Sequence, residues 1–237
     1  MAFGTEKRVF AGTAQQAAID EGLRAYMLRV YNYMTIGLVV TGLIALLTAS
    51  SPAAMNMIYG TPLKWVVMLA PLGFVMFLSF GLHRMSFMTA QAVFWAFCTT
   101  MGVSLSYIFM VYTGGSIARV FFITAGAFAG LSLYGYTTKK DLSGMRTFLM
   151  MGLIGIIIAS IVNIFMVSSA LHFAISVIGV LVFAGLTAYD TQNIKNEYSE
   201  FHDRETSGKL AIMGSLRLYL DFINLFIMML RLFGNRG

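Results

Sequence analysis

Seven runs of about twenty apolar residues follow one another along this chain, and the loops between them are too short to fold alone. They lie at about 31–49, 65–82, 90–112, 117–136, 147–167, 171–189 and 211–231. At a rise of 1.5 Å per residue, about twenty helical residues cross the roughly 30 Å hydrocarbon core of a bilayer. In lipid every backbone N–H and C=O must be satisfied internally, and a run of this length does so as a helix. The expected fold class is therefore all-α: a polytopic membrane protein with seven transmembrane helices. Charged residues make up only 11% of the chain, against about 25% in soluble domains. No polar block is long enough to form a soluble domain. The division expected is a polar cytoplasmic N-terminal arm over 1–28 and a transmembrane bundle over 29–237.

The chain carries 16 basic and 10 acidic residues, a formal charge of +6. In this setting the basic excess sets topology and meets anionic lipid head groups, so no nucleic-acid partner is expected. One side of the bundle collects Lys7, Arg8, Arg24, Arg29, Arg84, Lys139, Lys140, Arg146, Lys195, Arg204 and Lys209. The other has Lys64, Arg119, Arg231 and Arg236. This bias places the N-terminus in the cytoplasm. Seven spans then put the C-terminus outside, although Arg231 and Arg236 leave a re-entrant last segment open. Residues 1–28 hold Glu6, Lys7, Arg8, Asp20, Glu21 and Arg24 and no apolar core, so the first span is read as an uncleaved insertion signal. Cys98 is the only cysteine, which excludes an internal disulfide. Gly126 and Gly130 form a GxxxG on the fourth span, expected to make a contact within the bundle.

The last run, RLYLDFINLFIMMLR, is unusual because it holds an acid. Of the ten acids, eight fall in the N-terminal arm or in loops. Asp190 ends the sixth apolar run, and Asp221 lies well inside the seventh. An ionisable residue at membrane depth is costly and is by default a functional candidate. Arg217, Asp221 and Asn224 stand at i, i+4 and i+7, so they share one helical face, expected to look into the bundle or a water-filled cavity. The sixth and seventh helices are antiparallel neighbours joined by an expected loop over 190–210, so Asp190 and Asp221 can approach. Two carboxylates in a low-dielectric site do not both ionise cheaply and tend to share a proton. Shared, the proton holds two helices together; lost, repulsion opens a cationic path. Arg217 and Arg84, the latter in GLHRMS, are the expected counter-charges, and carboxylate oxygens suit a transient Ca²⁺ contact. The alternative from spacing alone is a structural Arg217–Asp221 ion pair.

Three stretches carry a resemblance: IDEGLRAYMLRVYNYMTIGLVVTG (19–42), GLTAYDTQNIK (185–195) and LRLYLDFINLFIMMLR (216–231). Together they resemble the Bax inhibitor-1, or transmembrane Bax inhibitor motif, family, in its bacterial YccA-type branch. The resemblance covers the whole chain in span number, order and loop size. It implies seven helices with the last one central, wrapped by the other six. It implies a pH-sensitive Ca²⁺ leak. The expected partners are Ca²⁺, H⁺ and membrane lipid; no organic cofactor and no enzymatic activity are expected. The family's paired acids fall on Asp190 and Asp221, and its second-span arginine on Arg84. For a bacterial chain it implies the inner membrane, with cation homeostasis or modulation of a membrane-bound protease as the role.

Other readings fit less well. An intramembrane aspartyl protease would use two acids on adjacent helices, one after tyrosine, and Tyr189–Asp190 matches that half. The second half should read Gly-x-Gly-Asp and here reads Tyr-Leu-Asp, with no Pro-Ala-Leu triplet after it. A retinal protein needs a lysine in the last span, and 211–231 has none. His83, His172 and His202 lack the HExxH context of a zinc protease. The 18 methionines are scattered as adaptable packing groups. A regulatory binding protein acting through the arm, without transporting ions, is the remaining alternative.

Overall fold

Between the apolar runs, Ser51, Ser86, Ser168 and Asp203 accept backbone N–H groups and cap the helices that follow them. In the computed structural model the backbone is described for residues 3–237 and the side chains for 19–237. Helix α1 covers Phe3–Ala49, and its portion from Ile19 is the first span. Ser51 accepts the Ala54 N–H at 3.3 Å and starts the short α2, Pro52–Tyr59, with proline in its first turn. Helix α3, Leu63–Gly81, tightens into a 3-10 turn over Leu82–Arg84. Ser86 caps α4, Phe87–Leu105, which is followed by α5, Ile108–Val111. Then come α6, Gly114–Thr137, and α7, Arg146–Met166. The last two are α8, Ser169–Glu197, and α9, Arg204–Phe233. Seven helices are long and apolar enough to cross a membrane, and no strand occurs among the described residues.

The structure differs from the expected boundaries in three places. The third run, expected unbroken over 90–112, breaks at Ser106 and Tyr107. There the Tyr59 hydroxyl from α2 reaches the Val103 and Ser104 carbonyls at 3.0 and 3.1 Å, replacing helical donors. The sixth helix does not stop at 189 but runs on to Glu197, and α9 already starts at Arg204, so most of the expected 190–210 loop is helical. The reason is packing: Thr191, Gln192 and Ile194 are buried. Gln192 accepts the Leu142 N–H and donates to the Lys140 carbonyl, both at 2.8 Å, which ties the α6–α7 loop to α8. The first helix shows no break at 28, and Tyr26 and Met27 are already buried in the bundle.

Helix α9 is the axis. Of its most apolar window, 67% is buried inside the protein, against 11% for the α7 span. It packs against α1, α3, α4, α6 and α8, while α7 stands furthest out and leans on α8. Aromatic edges interlock along it: Phe97 meets Tyr219, Phe128 meets Phe222, and Phe121 meets Phe226. Its buried polar atoms are satisfied across helices. The Tyr219 and Thr41 hydroxyls lie 2.6 Å apart, and Thr41 donates to the Cys98 carbonyl at 2.9 Å. Close approach falls at Gly135, where a Cβ would lie 2.2 Å from the Ala188 carbonyl oxygen of α8. The expected contact at Gly126 and Gly130 is not formed: a Cβ at either position meets nothing within 4 Å. Both glycines lie on the outward face of α6, beside the exposed Phe122 and Ile123. A belt of exposed Leu, Ile, Phe and Met on α1, α3, α6 and α7 completes a surface suited to lipid.

Candidate functional site

Antiparallel packing of α8 on α9 sets two helical stripes face to face. On α8 the stripe is Asp190, Asn193 and Glu197, at i, i+3 and i+7; on α9 it is Arg217, Asp221 and Asn224. Glu197 therefore meets Arg217, and Asp190 meets Asp221. Arg217 Nη1 lies 2.6 Å from Glu197 Oε1, which also accepts the Asn193 amide at 3.1 Å. One to two turns deeper, Asp190 of α8 and Asp221 of α9 line the same cavity. Two carboxyl groups placed together in a low-dielectric site do not both ionise cheaply. Asp221 is 5% exposed, and its Oδ2 is buried with no partner. Glu197 Oε2 is also buried and unpartnered. Asn224 turns its amide N–H back to the Leu220 carbonyl of its own helix at 2.8 Å.

These groups line one cavity of about 630 Å³ between α7, α8 and α9. Arg146, the first residue of α7, and Glu197 stand at its N-terminal-side end. Leu153, Phe183, Leu186 and Leu220 wall its deeper part, and Asn224 lies near its floor. A shallow polar mouth thus narrows onto an apolar-walled carboxyl pair. Among the described residues no three His, Cys, Asp or Glu side chains converge as a metal cluster. A hard cation takes six to eight oxygens, so one meeting this pair would keep most of its water.

Four of the five residues singled out in the sequence, Asp190, Asp221, Arg217 and Asn224, share this cavity. Arg84 does not: it is exposed on the 3-10 turn after α3 and is not a lining residue. Nor does Arg217 pair with Asp221, one turn away on its own helix; its ion pair reaches across to Glu197. Sequence reasoning missed Glu197 and Arg146. Glu197 was detectable as the i+7 continuation of the Asp190 face, had the helix been carried past the end of the apolar run. Arg146 carried only a topological signal, being a cation at the membrane end where Asp190 sits.

Comparison with known proteins agrees with this architecture. The family model described as "Inhibitor of apoptosis-promoting Bax1" matches residues 23–237. An uncharacterized protein of Rickettsia prowazekii is 49% identical, over 94% of this chain and 95% of its own length. The inner membrane protein YbhL of Escherichia coli is 47% identical, over 91% of this chain and 93% of its own. An uncharacterized protein of Caulobacter vibrioides is 48% identical, over 92% and 91% respectively. With seven membrane-length helices and a match over nearly its whole length, the chain belongs to the Bax inhibitor-1 family of polytopic membrane proteins.

Proposed function

We propose that this protein is a pH-sensitive cation leak, with Ca²⁺ as the transported ion, gated by Asp190 and Asp221. The observation that carries the reading is the placement of these two carboxyl groups in one cavity between the central helix and α8, with Asp221 buried and its Oδ2 without a partner. With one proton shared, the pair clamps α8 to α9. When that proton leaves, two carboxylates face each other where water screens them poorly, and the helices are pushed apart. The same ionisation turns the cavity into an anionic path with hard oxygen ligands, so the group that opens the path also attracts the cation. Flux therefore rises with pH. The basic residues of the N-terminal side support a cytoplasmic location for that side and for the cavity mouth. The match to an inner membrane protein of Escherichia coli supports the inner membrane as the location.

The test is Ca²⁺ flux into liposomes holding the purified protein, over roughly pH 6 to 8, with Asp190→Asn and Asp221→Asn beside the wild type. Wild-type flux is expected to rise with pH, and both variants to lose that dependence. Absence of flux at every pH would leave the pair a structural clamp. It would favour the alternative of a regulatory binding protein, one that modulates a membrane-bound protease through residues 1–28.

A further inference from the structure

On the other flank of α9, a second cavity of about 750 Å³ opens between α1 and α6. Its depth comes from short side chains: Ala125, Ala129 and Ser132 of α6, at i, i+4 and i+7, face the α1 wall. On α1 the wall runs from Arg24 to Val39, a rise of about 22 Å. That exceeds the roughly 15 Å depth of one leaflet's hydrocarbon. The floor is Phe222, the neighbour of Asp221 on the central helix. Two of the wall hydroxyls are already occupied. The Tyr31 and Ser132 hydroxyls lie 2.6 Å apart, and Ser132 is 2.9 Å from the Thr191 hydroxyl of α8. Met27, Met34, Leu38, Phe121 and Ala125 make most of the remaining wall, so the groove offers mainly hydrocarbon surface.

One end of the groove is basic. Arg24 stands on the α1 side. On the α6 side is Tyr136, against which Lys195 packs, its Nζ 5.2 Å from the ring centroid. Lys195 donates one N–H to the Tyr136 carbonyl at 2.8 Å, and an ammonium has two more to give. Asp20 and Glu21 lie one turn further out on α1, so the attraction for an anion is local to the level of Arg24. A guanidinium at the head-group level and an apolar slot running inward match the two halves of one molecule: a phosphate with an acyl chain.

We propose that the α1–α6 groove binds an anionic glycerophospholipid of the N-terminal-side leaflet, one acyl chain along Ala125 and Ala129 and its phosphate at Arg24. The protein is purified, incubated with phosphatidylglycerol or phosphatidylcholine, and the lipid retained per chain is read by native mass spectrometry. The wild type is expected to retain phosphatidylglycerol in preference to phosphatidylcholine. Ala129→Phe fills the slot and should reduce retention to background. Thr35→Phe fills it from the opposite wall and serves if the first variant melts early. Ala127→Phe, on the exposed face of α6 outside the groove, should retain lipid as the wild type does. Arg24→Gln should keep the acyl chain but lower the preference for the anionic lipid about fivefold, the effect of one basic residue at an anionic surface. Equal retention of both lipids by the wild type, or retention unaffected by both filling variants, would overturn the assignment.

Discussion

Arg217 has three acids near it, Asp190, Asp221 and Glu197, and its Nη1 goes to the last of these. That choice follows from depth. The Arg217 and Glu197 side chains are 34% and 26% exposed, so water still reaches the pair and the desolvation cost of joining them is modest. The aspartates lie deeper, and Asp221 is nearly closed off. With the guanidinium held at the rim by Glu197, the proposed gate relies on a proton as the main neutralising charge of the carboxyl pair. Glu197→Gln removes an anion from the cavity and releases Arg217 toward the pair, and both changes favour the doubly ionised state. In the proposed gate the midpoint of flux against pH is then expected to fall by about one unit. The same measurement on Glu200→Gln, at an exposed position beyond the end of α8, should show no shift. A midpoint unmoved by Glu197→Gln would mean that the Arg217 charge does not act on the aspartates.

Helix ends were the least readable part of the sequence, and at α8 and α9 that mattered for the site. An apolar run marks where a helix meets lipid or core, not where its hydrogen bonds stop. Residues 191–197 are mainly polar, yet they stay helical because Gln192 and Lys195 bond the α6–α7 loop and the end of α6. Asp203 shows the reverse case, a loop acid with a local signature. Its carboxylate accepts the Glu205 and Thr206 N–H groups and caps α9, and hydrogen bonds from Thr206 hold its carboxyl below the usual aspartate range. The Arg217–Asp221–Asn224 stripe was readable because 3.6-residue periodicity needs no partner helix to reveal it. Which helices touch was not readable from small residues alone. Gly126 and Gly130 form the recognisable motif, but the close approach of α6 to α8 falls at Gly135. Gly135→Ala should therefore force the helices apart and cost about 1–3 kcal/mol, as overpacking does. Gly126→Ala meets open space and should leave the thermal midpoint in detergent unchanged or slightly raised. Equal melting of the two variants would mean that α6 shifts freely against α8.

For the whole molecule, the cavity beside α9 would be half a passage in the proposed leak. It enters from the N-terminal side and ends near Asn224. Beyond it Ile156 of α7, Ile175 and Val182 of α8, and Leu225 and Met228 of α9 pack into an apolar cluster. The far side is also fastened. The Thr113 N–H donates to the Asn235 carbonyl at 3.1 Å, the Asn235 N–H to Ser116 Oγ at 2.8 Å, and the Gly237 N–H to the Val111 carbonyl at 3.2 Å. A cation that reached Asp221 in this state would have to shed water against Leu, Ile and Met, which is how an apolar constriction blocks conduction. In the proposed gate, repulsion between the aspartates would act directly above this cluster, so clamp and plug would belong to one α8–α9 seam. Met228 is the side chain whose removal should separate them. It is 7% exposed and sits in a notch over Gly179, where a Cβ would lie 2.8 Å from its sulfur. Met228→Ala leaves the carboxyl pair intact but empties the notch, at a stability cost of about 2 kcal/mol or more. Its liposomes should leak Ca²⁺ at acidic pH, where the wild type stays tight, while flux keeps its rise with pH. Met228→Leu, which nearly conserves volume, should restore tightness. If Met228→Ala liposomes are as tight as wild type at acidic pH, the ion does not cross at the α8–α9 seam, and the aspartates act on a path elsewhere around α9.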